Sequence, residues 1–408
     1  MELLLSLGLV LILGLIGGIL FEKIKLPKIV GMIVIGILLG PSVLNWFSPD
    51  TVIQGISGDL RMIALVVILT RSGLSLDLPS LKKIGRPAIL MSFLPATFEI
   101  AAAVIFAPML LGVTYVEAFL VGSTVAAVSP AIIVPRMIKF IDEGYGKKHQ
   151  IPKLLLAGSS VDDVFVIVIF YAFLGLEKNN TFSSLTFLNI PISIVLGIGL
   201  GVAVGFLLAF LYKKVKFSVP YRILISLSAS FLMIAVEHSL EGIVAVSSLL
   251  GVISMGVVLL AKDKANAREM QKGYNNIWNF FEIILFVLVG AKFNFTVATS
   301  YGFSPFILIL IMLLFRSVGV LVCLYKTKLT KKERIFAVIS YIPKATVQAS
   351  IGGICLDQGL PCGNLVLSVA VISILVTAPL GALLIDNLYS KLITNEEEIE
   401  DVLETEFN

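Results

Sequence analysis

About thirteen apolar stretches, each near the ~20 residues a helix needs to cross a bilayer, occupy almost the whole of this 408-residue chain. They centre near Leu11, Ile35, Val67, Glu99, Ala127, Val164, Gly201, Ala229, Ser248, Leu285, Leu313, Ala345 and Ser373. Hydrocarbon offers no partner to a backbone N–H or C=O, so stretches of this kind are read as helices, and the fold class as an all-α polytopic membrane protein. Hydrophobic residues make up 58% of the chain and charged ones 14%, with a mean hydropathy of +1.01, which excludes an ordinary soluble domain. No large soluble domain separates any two stretches. The formal charge of +4 gives no support for nucleic-acid binding. Cys323, Cys355 and Cys362 have neither metal-ligand spacing nor an even count, so neither a resident metal nor a disulfide framework is expected. The segment from Glu2 to Phe21 lacks a basic leader and is too long for a signal core, and is read as a retained transmembrane helix.

Basic residues fall in alternate loops. Lys23, Lys25 and Lys28 are followed by Lys82, Lys83 and Arg86, then by Arg136, Lys139, Lys147, Lys148 and Lys153. Further clusters are Lys213, Lys214, Lys216 and Arg222; Lys262, Lys264, Arg268 and Lys272; and Lys326, Lys328, Lys331, Lys332 and Arg334. Only Lys178 lies squarely in an opposite loop, so the positive-inside rule puts the N-terminus outside and the C-terminus in the cytosol; the expected location is the plasma membrane. The acidic segment from Asn395 to Asn408 reads as a solvated tail. An odd number of segments allows six on each side of a linker helix, the Gly-rich one around Gly197, Gly199, Gly201 and Gly205. The halves would then form an inverted repeat. Leu69–Asp77 and Val287–Asn294, at the ends of the third and tenth segments, are counterparts in that scheme, although small residues there also suit helix packing.

Asp162 and Asp163 lie side by side inside the apolar stretch Leu154–Leu176. A charge at bilayer depth costs at least ~2.5 kcal/mol and two carboxylates repel, so such a pair marks an ion or proton path. The fifth segment carries Pro130 in Ala127–Pro135, and the twelfth carries Pro343 and Lys344 in Tyr341–Ser350. Proline at mid-depth removes a donor, and two such breaks in counterpart segments predict crossed, discontinuous helices whose dipole ends meet near the midplane. Glu99, Ser129, Asp162, Asp163, Arg316, Lys344 and Gln348 all fall at that depth. Glu99 and Arg316 are read as an ion pair, since an opposite charge is what best retains an ion in a membrane. Helical neighbours point ~100° apart, which divides the aspartates: Asp163 toward the cavity as carrier of a dehydrated cation or a proton, Asp162 toward the broken helices and Arg316. Ser129, Thr124 and the carbonyls around Val128 are candidate neutral ligands for the transported Na+. Cytosolic His149 and outer His238, beside Glu237 and Glu241, read as solvated histidines.

Ala127–Pro135, Asp162-Asp163 and Pro343–Gln348, in this order, resemble the sodium/proton exchangers of the cation:proton antiporter superfamily, closest to the NHA-type branch. The resemblance extends over most of the chain, including Arg71–Asp77. It implies an NhaA-like fold, a homodimer and elevator-like alternating access. On that reading a dimer or gate domain comprises residues 1–86 and 218–296, a core domain 87–177 and 297–390, with a linker at 178–217 and a tail at 391–408. It also implies Asp163 as main carrier, Asp162 as partner, and Glu99 with Arg316 as a stabilising pair. Family members with a core lysine are typically electrogenic; this chain has Arg316 and an acidic partner, and arginine does not release its proton, which favours electroneutral exchange. Lys344 is read as offsetting carbonyl dipoles. Competing readings are K+/H+ antiport, Na+-coupled symport of an organic solute, a passive channel, and an intramembrane aspartyl protease. The last needs its two aspartates on different helices, which this adjacency does not give.

Overall fold

A computed structural model describes residues 3–76, 85–179, 184–240 and 246–395, and the side chains of these except at residues 160, 178, 179 and 184–190. Asp77, Lys82, Lys83, Glu241 and the acidic segment beyond Asn395 lie outside the described residues. The principal helices are α1 (Leu3–Lys23), α2 (Lys28–Leu39), α3 (Ser57–Ser75), α4 (Arg86–Met91), α5 (Leu94–Leu111), α6 (Tyr115–Ala126), α7 (Pro130–Asp142) and α8 (Ile151–Asn179). They continue as α9 (Ser184–Lys214), α10 (Val219–Ser239), α11 (Ser248–Lys262), α12 (Lys264–Ala291), α13 (Ser304–Cys323), α14 (Lys331–Ser340), α15 (Thr346–Ile351) and α16 (Gly363–Leu392). Short helical turns at Val52–Gly55, Phe295–Ser300 and Ile354–Asp357 complete the set.

The described residues are helical and contain no sheet beyond one isolated bridge, between Tyr145 and Asn395. Among them nine spans are long and apolar enough to cross a membrane. The sequence count of about thirteen is therefore not reached on length and apolarity alone. Lys28–Leu39 and Ser248–Lys262 are shorter apolar helices, α3 carries Asp59, Arg61 and Arg71, and Ala345 falls at a break between helices. One loop assignment is also corrected. Lys264, Arg268 and Lys272 are helical, because Asp263 caps α12 by accepting the Asn266 N–H at 3.1 Å and so starts that helix well before its apolar part.

The chain divides into two compact units, residues 1–15, 35–78 and 168–292, and residues 16–34, 79–167 and 293–408. In the first, α9 packs on α11 through glycines. A Cβ at Gly201 would overlap the Gly251 carbonyl oxygen and one at Gly197 the Ser247 carbonyl, so only glycine permits this approach. Gly73 likewise abuts the Ile253 carbonyl, which is a packing role. In the second unit, α13 packs on α5, and α16 on α6 and α14. One end of that unit is filled by Met91, Met137, Phe140, Leu155, Phe336 and Tyr341, with Phe140 stacked on Tyr389 at 4.3 Å.

Candidate functional site

Both proline-bearing segments are discontinuous. The backbone of α6 stops at Ala126, Ala127 and Ser129 are extended, and α7 begins at Pro130, whose missing N–H is harmless at the first position of a helix. The second break runs from the end of α14 at Ser340 to the start of α15 at Thr346, with Pro343 inside it. The two breaks touch directly: the Ser129 N–H donates to the Pro343 carbonyl at 2.8 Å.

Backbone groups freed by the first break find partners, as a buried segment requires. Gln348 Nε2 donates to the carbonyls of Val125 (3.0 Å) and Ala127 (2.7 Å). Lys344 Nζ (3.3 Å) and Arg316 Nη1 both reach the Ala126 carbonyl. The Val128 N–H donates to Asp162 Oδ2 at 2.8 Å. Cations thus meet the C-terminal carbonyls of α6 and a carboxylate meets the N-terminal side of α7, the pairing that helix dipoles favour.

A charge cluster surrounds this point, entirely within the second unit. Arg316 Nη1 donates to Glu99 Oε2 at 2.7 Å, Arg316 Nη2 to Asp162 Oδ2 at 2.8 Å, and Arg316 Nε to the Tyr341 carbonyl at 2.9 Å. Its guanidinium also lies 5.2 Å from the centre of the Tyr341 ring. Lys344 Nζ donates to the same Glu99 oxygen at 2.6 Å. Glu99, Asp162 and Lys344 are fully buried, Arg316 is 1% exposed and Asp163 6%. Lys344 therefore does more than offset carbonyl dipoles; it is a second cation on Glu99.

Thr124 and Ser129 are buried beside the break, and their hydroxyl oxygens, with Glu99 Oε1, Asp162 Oδ1 and Gln348 Oε1, have no hydrogen-bond partner among the described residues. Buried oxygens without donors suit a hard monovalent cation or a proton.

Several contributors to the site escape the sequence reading. Thr377 Oγ1 accepts the Lys344 N–H at 3.0 Å, fixing the second break from α16. Gly381 makes room for Pro343, since a Cβ there would lie 2.7 Å from the proline Cδ. The sequence signal for these two is slight, Ser373, Thr377 and Gly381 at four-residue spacing on one apolar helix. Arg61 and Glu282 are further charged residues buried in the first unit that sequence depth does not pick out. His149 is not a solvated loop residue: its Nδ1 lies 2.9 and 3.0 Å from the two Glu333 carboxylate oxygens. Glu237, at the other histidine, accepts the Ser248 N–H at 3.0 Å.

The family model described as "Sodium/hydrogen exchanger, transmembrane" matches residues 8–388. Human sodium/hydrogen exchanger 9B2 is 31% identical over 411 residues, covering 94% of this chain and 74% of that protein. The 9B1 protein of Macaca fascicularis is 30% identical, over 93% and 77%. The solved structure of the sodium proton antiporter MjNhaP1 from Methanocaldococcus jannaschii superposes with a TM-score of 0.83 at 21% identity, over 96% of this chain and 99% of that one, and so shares the fold.

Proposed function

The chain belongs to the sodium/hydrogen exchanger family, and on that premise we propose that it exchanges Na+ or Li+ for H+ at the Asp162–Asp163 site. The observation that carries this reading is the charge count of the buried cluster. Two cations, Arg316 and Lys344, stand against three carboxylates, Glu99, Asp162 and Asp163. One negative charge remains, and one bound monovalent cation or one proton neutralises it. Asp162 Oδ2 is engaged by Val128 and Arg316, and Asp163 is the better exposed of the two, which supports Asp163 as the carrier. Competition of cation and proton for one charge gives a one-for-one, electroneutral exchange.

The whole cluster belongs to one unit, which supports elevator-like access: that unit carries the ion as a body, and the other acts as dimer or gate domain. Exposed apolar side chains such as Phe206, Leu207 and Phe210 give the latter a surface for lipid or a second copy in a homodimer. The positive-inside pattern supports an outer N-terminus and cytosolic C-terminus, and the proposed location is the plasma membrane. The deciding experiment is flux in proteoliposomes with Na+, Li+ and K+ in turn, read by a pH-sensitive dye under clamped membrane potential. The expected result is saturable Na+- or Li+-driven proton movement that does not change with potential. Preference for K+ would make it a K+/H+ antiporter, and steep potential dependence would overturn electroneutrality.

A further inference from the structure

Tyr341, the first residue after α14, meets the charge cluster with both its backbone and its ring. Its carbonyl accepts from Arg316 Nε at 2.9 Å, and its ring centre lies 5.2 Å from the guanidinium carbon. The residue is 1% exposed, and its hydroxyl donates to the Met91 carbonyl, at the end of α4, at 3.4 Å. Room for that hydroxyl comes from Gly158 on α8. A Cβ there would overlap Tyr341 Oη and would lie 2.8 Å from Met91 Cβ. Gly158 and Asp162 are four residues apart on α8 and so lie on one face of it. One end of the ring is thus lodged between α4 and α8, one helical turn from the carboxylate that Arg316 holds.

We propose that Tyr341 is a positioning residue for the exchange: it fixes the Arg316 guanidinium on Asp162 and so keeps Asp162 from competing with Asp163 for the transported ion. This deepens the exchange proposed above and rests on it. The argument turns on how unequally the carboxylates are held. Glu99 has Lys344 as a second bonded cation, whereas the other partner of Asp162 is the neutral Val128 N–H. Asp162 therefore stays a fixed anion only while Arg316 Nη2 points at it. A guanidinium is planar and rigid, so a bond at Nε together with the neighbouring ring sets the direction of Nη2. A buried cation over an aromatic ring is also the case in which that contact is strongest.

The test is the pH dependence of the apparent KM for Na+ in proteoliposomes. In the native chain one proton competes with one cation, so KM is expected to rise about tenfold per pH unit on the acid side. Tyr341→Leu keeps the carbonyl and removes the ring; Asp162 then joins the competition, and the rise becomes steeper. A merely structural loss lowers the maximal rate and the melting temperature and leaves this slope alone. Tyr341→Phe, which retains the ring, is expected to keep the native slope. Gly158→Ala drives a methyl group onto the hydroxyl and should steepen the slope, and adding Tyr341→Phe to it should bring the slope back toward the native one. A native slope in both Tyr341→Leu and Gly158→Ala would overturn the proposal. A second readout does not need exchange: the melting-temperature losses of Tyr341→Leu and Asp162→Asn should fall short of their sum in the double variant, since both act on Arg316. Additive losses would overturn the proposal too. A native chain that moves no protons with Na+ would instead overturn the exchange reading, and this cycle would then decide the role of Tyr341.

Discussion

Lys344 Nζ sits 2.6 Å from Glu99 Oε2, the same oxygen that Arg316 holds at 2.7 Å. Glu99 is thus the anion on which two buried cations depend, and the three residues are unequal. Arg316 keeps Asp162 when Glu99 is lost, whereas Lys344 keeps only the Ala126 carbonyl among the partners described. Glu99→Gln is expected to destabilise by ~3–5 kcal/mol, the usual effect of stranding a buried charge. Lys344→Gln is expected to be milder, because Arg316 still neutralises Glu99. In Glu99→Gln with Lys344→Gln the losses should fall short of their sum by ~1–3 kcal/mol. Denaturation of the purified variants supplies the cycle, and additive losses would show that the contact carries no coupling.

Asp163→Asn is expected to fold normally and to abolish cation-driven proton movement in proteoliposomes, since in the proposed exchange cation and proton compete for this charge. Asp162→Asn should show a different profile. Its carboxylate accepts from Val128 and Arg316, so the variant should lose thermal stability as well as activity. Retained exchange in Asp163→Asn would reassign the carrier.

Gly381→Ala places a methyl group against Pro343 at the second break. Overpacking of this kind costs typically ~1–3 kcal/mol. Because the break holds Lys344, the displacement should also reach the ion site. The expected result is a lower melting temperature together with a raised apparent KM for the cation. A change in melting temperature alone would mean that the break absorbs the strain.

Glu333 performs two tasks that substitution can separate. It completes the capping box of α14, with Thr330 N–H donating to Oε2 at 2.7 Å and Glu333 N–H to the Thr330 hydroxyl at 3.2 Å, and it also engages His149. Glu333→Gln keeps a capping side chain and loses the charge partner; Glu333→Ala loses both. The alanine variant should be less stable than the glutamine one by ~0.5–2 kcal/mol, the range for a lost cap. Equal melting temperatures would show that the cap contributes nothing here.

Much of this site is legible in the amino-acid sequence because its residues are costly where they stand. Charges at Glu99, Asp162, Asp163 and Arg316, and prolines at 130 and 343, need a reason inside apolar segments, and depth alone brings them to one level. What the sequence does not carry is geometry set by the crossing itself. That Gln348 spans two carbonyls, that Lys344 reaches Glu99, and that Thr377 receives the Lys344 N–H all depend on how one break lies against the other. Apolar length is a weaker guide to the fold: it counts α11 and the broken α14–α15 segment as full spans, and it places the start of α12 too late. His149 looks solvated in sequence because its partner comes from a residue 184 positions away.

Between Ala126, the last residue of α6, and Pro130, the first of α7, the Ser129 N–H is held by the Pro343 carbonyl, and the side chains of Gln348, Lys344, Arg316 and Asp162 hold the carbonyls of Ala126 and Ala127 and the Val128 N–H. The backbone there is held upright by the same groups that set the local charge. Selectivity and architecture are consequently entangled at three of the charged positions, where any change of sign or length also removes a prop from the main chain. The hydroxyl oxygens of Thr124 and Ser129, the neutral ligands proposed for the ion, carry no such duty among the contacts described. On the proposed reading they are the places where the taste for one ion over another would be retuned while the frame stands.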